Sequence, residues 1–357
     1  MARYNFDMTT ATPRTPTPGA EPASGLGPLG APPPFDLEMA AALEALAGVL
    51  PTAITPEMIP LMRGRPQLGP TNEELARGGA FTISEVAVPG PAGAPEVGLL
   101  VCRPTAATIE AAGADPAAAQ PVIYHAHGGG MIIGDARSGL PDILDWAEDL
   151  GLVVVSVDYR LAPENPHPAP VEDCYAGLLW TAAHAAELGG DPERLLVAGL
   201  SAGGGLSAAL ALLARDRGGP ALIGQVLMSP MLDDRNDTPS AVQLAGLGVW
   251  DQSSNATGWG ALLGDAAGGA DVSPYAAPAR ATDLSGLPPA YIDVGSAETF
   301  RDEDVAYASR LWRAGGQAEL HVWPGAFHGF DLLAPQAALT RQAKAVRLQW
   351  LTRLLAR

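Results

Sequence analysis

The chain has 357 residues, 47% of them apolar and 17% charged, which suits one large α/β domain with insertions or two ordinary domains. Thirty-nine acidic against 21 basic residues give a net charge of −18, and lysine occurs once, at Lys344. With no basic cluster, nucleic acid and anionic membrane surfaces are poor partners.

The first 22 residues contain no apolar core of the kind a secretory signal needs, and residues 9–34 are rich in Thr, Pro, Ala and Gly. Residues 1–35 are therefore expected to form a flexible arm. No run of eighteen apolar residues occurs anywhere, so a soluble, cytoplasmic protein is expected. Apolar spacing next predicts short helices near 36–50, 56–63 and 71–78, interrupted by Pro51, Pro60, Pro66 and Pro70.

From residue 81 the texture changes to strand-like runs at 81–88, 97–103, 121–127, 152–157, 194–199, 225–229, 290–295 and 318–323. Helical stretches follow the later runs, near 138–150, 170–188, 202–217, 301–314 and 337–356. The alternation predicts an α/β fold with a mostly parallel sheet covered on both faces. Residues 104–120 read as a surface loop. Cys102 and Cys174 make neither a disulfide framework nor a metal-binding pair.

The most informative stretch is "GLSAGGG" at 199–205, because "RLLVAG" before it reads as a buried strand and "AGGGLSAALALLAR" after it as a helix. In that context G-x-S-x-G describes a sharp strand-to-helix turn that presents Ser201 at the carboxyl end of the sheet. Gly199 and Gly203 would then let strand and helix approach. A glycine-rich packing turn or a phosphate cradle would use similar residues, but the Lys-Ser/Thr ending of a P-loop is absent.

A serine nucleophile needs a base, and there are six histidines. His125 and His321 fall within strands, His184 in a helix, His167 in a proline-rich loop, and His127 opens "HGGG". His328, in "PGAFHGF" just past the last strand, has the loop position from which an imidazole can reach a neighbouring hydroxyl. His125 and His127 share a strand face, but two histidines without further ligands fall short of a metal site. The triple glycine after His127 bares backbone N–H groups, so two or three of Gly128, Gly129 and Gly130, with Ala202, can serve an oxyanion, and His127 reads as a brace.

Taken together, "HGGG" (127–130), "DYRLAPE" (158–164), "GLSAGG" (199–204), "RDED" (301–304) and "FHGF" (327–330) resemble the hormone-sensitive-lipase-like, bacterial family IV carboxylesterases of the α/β-hydrolase superfamily. The similarity covers about residues 75–357, with the motifs in the family's order. It implies an α/β-hydrolase fold with an eight-stranded, mainly parallel sheet in a catalytic domain at 79–357. A helical cap would come from 36–78 and from an insertion at about 233–275. It implies a serine carboxylesterase using Ser201, His328 and an acid, with "DYRLAPE" bracing the glycine loop. No cofactor and no metal are implied. The partner is a small-molecule ester, with a homodimer left open.

Two departures stand out. Leu200 replaces the Asp or Thr usual before the serine, and the family's D-P-L-R-D-E reads "ETFRDE" at 298–303, placing Glu298 at the acid position. Asp293 and Asp302 compete for that role; the first lies inside a strand and the second begins a helix. An amidase or lyase on the same scaffold, or a non-catalytic ligand-binding relative, are the alternative functions.

Overall fold

The computed structural model of the protein describes residues 29–51, 53–63 and 69–356. Most of the arm expected at 1–35 therefore lies outside the described residues. Among those described, eight strands form one sheet: β1 (Phe81–Val88), β2 (Val97–Pro104), β3 (Gln120–Ala126), β4 (Val153–Asp158), β5 (Gly190–Leu200), β6 (Gly224–Met228), β7 (Ala290–Gly295) and β8 (Ala318–Trp323). Their order is β1-β2-β4-β3-β5-β6-β7-β8. β1 pairs with β2 and β2 with β4 antiparallel, and the remaining pairs are parallel. This is the α/β-hydrolase arrangement of a mostly parallel sheet between helices.

The central strands are apolar along their whole length because both of their faces are covered. Val122, Tyr124 and Ala126 pack with Val153, Val155, Leu195 and Val197 against the helices Ala169–His184 and Ala202–Arg217. The alternate residues Ile123, Val154, Leu196 and Ala198 face the helices Leu140–Leu150 and Ala338–Leu355. Alternation with a period of two thus appears as two separate core layers.

Residues 104–120, read from the sequence as loop, contain a short helix at Ala106–Ala111. Thr108 and Ile109 are buried, and the Thr108 hydroxyl donates to the Ala80 carbonyl, so tertiary contacts stabilise a turn of helix in an alanine-rich stretch. The N-terminal helices are shorter than the apolar spacing suggests. They span Leu37–Leu46, Ile59–Arg63 after a 3-10 turn at Pro56–Met58, and Asn72–Leu75.

The chain leaves β3 for β4 on one side and returns to β5 on the other. Such a reversal opens a crevice at the carboxyl ends of the strands. The loops that follow β3, β5, β7 and β8 lie at that end. They carry residues 127–130, Ser201, Glu298 and His328 respectively.

Candidate active site

Ser201 sits between β5 and the helix Ala202–Arg217 with φ 60° and ψ −121°, a backbone conformation that non-glycine residues rarely adopt. Holding it costs on the order of 1–3 kcal/mol, which neighbouring contacts must offset. Its N–H donates to the Met228 carbonyl at 2.8 Å, and its carbonyl accepts from Gly205 at 3.0 Å and Met231 at 2.9 Å. The flanking glycines are required by space. A Cβ on Gly199 would lie 2.3 Å from the Gly203 carbonyl carbon, and one on Gly203 would lie 2.0 Å from the Ala126 oxygen.

The His328 loop brings an imidazole to this serine. His328 Nε2 lies 3.0 Å from Ser201 Oγ, and Nδ1 lies 3.2 Å from Glu298 Oε2. Because the carboxylate accepts, the pairing assigns the hydrogen to Nδ1 and leaves the Nε2 lone pair facing the hydroxyl. All three residues are buried, at 5%, 8% and 2% exposure for Ser201, His328 and Glu298. Phe300 meets the imidazole edge-on at 5.1 Å, and Trp250 lies 6.4 Å away, ring centre to ring centre.

The two competing carboxylates are engaged elsewhere. Asp293 is buried and forms a two-point ion pair with Arg347, at 2.7 and 3.1 Å, while Trp323 and Tyr291 also donate to it. Asp302 pairs with Arg301 and accepts from the Ser240 N–H at 2.8 Å, tying the segment after β6 to the helix Arg301–Arg313. Behind Glu298, burial pushes the carboxyls of Glu303 and Asp304 well above the usual range. Glu303 accepts from the N–H groups of Leu232 and Asp233.

The glycine turn after β3 exposes its amides through what holds its carbonyls. In a trans peptide the C=O and the following N–H point in opposite directions. The Gly128 carbonyl accepts from His127 Nδ1 at 2.8 Å, which turns the Gly129 N–H the other way. The Gly129 carbonyl accepts from Ile132 and Ile133, both at 3.0 Å, which does the same for the Gly130 N–H. The Ser201 carbonyl, held as described, aims the Ala202 N–H. Among the described residues, these three N–H groups have no acceptor. His127 in turn stacks on Tyr159 at 4.1 Å, and the Tyr159 hydroxyl donates to the His127 carbonyl at 2.8 Å. Burial lowers the His127 imidazole to about 4.

Two residues that the motifs did not single out for this turn also touch it. The tip of the Trp250 ring covers Gly130 so closely that a Cβ there would lie 2.2 Å from it. Arg63 donates to the Ile132 carbonyl at 2.7 Å. Neither contact has a local signal, since both residues lie more than sixty positions from the turn. Three of the other histidines have partners of their own: His125 donates to Ser156, His321 pairs with Glu319, and His184 bonds the Trp180 carbonyl. Among the described residues no group of three or more His, Cys, Asp or Glu side chains is arranged to hold a metal ion. No helix among them is long and apolar enough to cross a membrane.

A family model for the alpha/beta hydrolase fold matches residues 123–332, more than half of the chain. The chain belongs to this family. The carboxylesterase NlhH of Mycobacterium tuberculosis (strain H37Rv) is 42% identical over 227 residues, covering 61% of this chain and 70% of that protein. Human hormone-sensitive lipase is 44% identical over 93 residues, 26% of this chain and 9% of that protein. Among solved structures, a bacterial heroin esterase superposes with a TM-score of 0.78 at 40% identity, covering 90% of this chain and 98% of the other. These findings make the protein a carboxylic ester hydrolase of the hormone-sensitive-lipase-like branch.

Proposed function

We propose that the protein hydrolyses small, short-acyl carboxylic esters through a covalent acyl-enzyme formed on Ser201. The observation that carries this reading is the continuous hydrogen-bonded line from Ser201 Oγ through the His328 imidazole to Glu298, with separations of 3.0 and 3.2 Å. Ser201 attacks the ester carbonyl while His328 Nε2 takes its proton. The negative charge that develops on the carbonyl oxygen is received by the N–H groups of Gly129, Gly130 and Ala202, with Gly128 as part of the same turn. Collapse of the tetrahedral intermediate breaks the bond to the alcohol oxygen, which leaves with the proton from His328. Water, deprotonated by the same imidazole, then releases the acid and regenerates Ser201. Glu298 keeps the imidazole in the required tautomer and balances its charge while it is protonated.

A cap formed by residues 36–78 and about 233–275 over the catalytic body 79–357 gives this site its size limit. The two cap parts are joined to each other: the Ile54 N–H donates to Ser254 Oγ at 3.0 Å, and Thr257 Oγ1 donates to the Ile54 carbonyl at 2.7 Å. Trp250, Trp259, Leu244 and Leu262 are buried, while Leu247 is 40% exposed. With Trp250 against Gly130 and beside His328, the space next to Ser201 suits acyl groups of about two to six carbons, a range set by apolar bulk. The partner is a small-molecule ester. A fluorophosphonate probe is expected to label Ser201, and aryl esters of graded acyl length to be cleaved fastest at the short end. Absence of labelling would remove the serine mechanism; faster turnover of long-chain esters would remove the size limit.

A further inference from the structure

We propose that Arg63 is a positioning residue that sets the direction of the Gly130 N–H, acting through two peptide units; this rests on the serine-esterase reading above. Arg63 closes the short helix Ile59–Arg63, which is anchored by Ile59 in the same apolar cluster as Met131, Ile132, Tyr159 and Ala162. Its guanidinium donates to three oxygens: Nε to the Ile132 carbonyl at 2.7 Å, Nη2 to the Ala162 carbonyl, and Nη1 to Glu164 at 2.8 Å. Two of these are main-chain carbonyls on different loops, one in the glycine turn and one after β4. The loops are also joined directly, by the Ala162 N–H to the Met131 carbonyl at 2.9 Å.

The relay can be followed atom by atom. Arg63 Nε holds the Ile132 carbonyl, so the Ile133 N–H on the same peptide points away from Arg63 and donates to the Gly129 carbonyl at 3.0 Å. That carbonyl, once held, fixes the Gly130 N–H of its own peptide in the opposite direction. The turn needs such help. Gly129, Gly130 and Met131 have φ of 109°, 62° and 65°, and for Met131 this conformation carries a steric cost of about 1–2 kcal/mol. A turn with that run of dihedrals holds its shape only if contacts outside it hold its carbonyls. A planar fork with three donating nitrogens can bridge two loops at once, which a lysine ammonium does less well. The Glu164 contact alone would be a surface ion pair of little consequence, since Glu164 is 60% exposed.

The test uses the full chain with Arg63→Ala and Arg63→Lys, with Glu164→Gln as control. For an aryl acetate, Arg63→Ala is expected to lower kcat by about tenfold to a hundredfold, in line with a small misplacement of a reacting group. KM should stay within about threefold. A trifluoromethyl ketone, which adds to the serine and places an oxyanion in the same turn, should bind more weakly by a similar factor. The Arg63 side chain is 26% exposed, so small guanidinium ions can reach the vacated space. Millimolar methylguanidinium is expected to restore part of the Arg63→Ala activity and none of Ser201→Ala. Glu164→Gln should retain wild-type kcat. If Arg63→Ala does not fold, Arg63→Lys carries the test, with a smaller loss of kcat at unchanged KM. Wild-type kcat in a folded Arg63→Ala, or in Arg63→Lys where Ala does not fold, overturns the proposal. So does a loss that methylguanidinium leaves untouched while ketone affinity is unchanged. Fluorophosphonate labelling of the wild-type protein at Ser201 tests the serine reading separately.

Discussion

The turn that carries Ser201 and the glycine turn beside it are both strained, but they are held in different ways. The Ser201 turn is closed by main chain from its own neighbourhood. Met228, Met231 and Gly205 supply its hydrogen bonds, and Gly199 and Gly203 let strand and helix touch. The glycine turn is held by side chains drawn from distant segments: Tyr159 on the His127 carbonyl and Arg63 on the Ile132 carbonyl, with His127 bonding back to Gly128. Backbone strain can thus be retained by a compact local motif or by a network assembled from elsewhere. The first kind is contained within residues 199–231, and the second draws on residues from 63 to 159.

The largest effect on activity should come at the hydroxyl itself. Ser201→Ala is expected to lower kcat/KM for an aryl ester by more than about a thousandfold, with the thermal midpoint little changed. Retention of most of the activity would remove the nucleophile. Glu298→Gln comes next, with an expected loss of two or more orders of magnitude in turnover, because the imidazolium loses its partner charge. Asp302→Asn should instead cost about 1 kcal/mol of stability, from a lost helix-end charge and a lost bond to Ser240. If Asp302→Asn or Asp293→Asn abolished turnover in a folded protein while Glu298→Gln did not, the acid would have to be reassigned.

The comparison of the two turns sharpens with smaller changes. Gly203→Ala forces a methyl group into the Ala126 carbonyl, and a stability loss of about 3 kcal/mol or more, measured by denaturant titration, is expected. Tyr159→Phe removes only one hydrogen bond to the neighbouring turn. It should cost about 1 kcal/mol and lower kcat by less than tenfold. Equal damage from the two variants would show that the turns are held alike.

A change in pH dependence, outside both turns, is also expected. Burial lowers the His125 imidazole to about 3, with His127 adding to the shift, against an ordinary value near 6.5. Between pH 7 and pH 5 the unfolded chain therefore gains a proton at this residue and the folded chain does not. Stability falls as the pH falls through that window, and the decline ends below the folded value. The share owed to one such histidine is about 2 kcal/mol between pH 7 and 5. His125→Asn can keep a donor toward Ser156 without titrating, so its difference in unfolding free energy between these pH values should shrink by that amount. An unchanged difference would mean that His125 takes up its proton alike in the folded and the unfolded chain.

Much of the fold is legible along the chain, because a strand buried on both faces has to be an apolar run and a parallel neighbour has to be reached through a helix. The run at 194–199 became Gly190–Leu200, longer because Gly190 pairs with Gln120 across a register shift in β3. The helix at Ala106–Ala111 was not legible, since burial of Thr108 and Ile109 depends on what packs over them. In the site, Ser201, His328 and Glu298 could be singled out from motifs, and the structure brings them within hydrogen-bonding distance of one another. Arg63 could not, because nothing in "IPLMR" signals that its last side chain ends on another loop.

What the sequence determines by itself is periodic or local: which runs are buried, where the glycines permit close approach, and that Ser201 ends a strand. The motif resemblance puts Glu298 at the acid position, but only the tertiary structure supplies the physical reason that its two neighbouring carboxylates do not meet the imidazole. Asp293 is claimed by Arg347, 54 positions onward, and Asp302 by Arg301 and the Ser240 amide. The direction of the glycine-turn N–H groups is decided in the same way. A short apolar run carries its burial in its own composition, whereas a hydrogen bond between distant segments exists only once the chain has brought both partners to the same place.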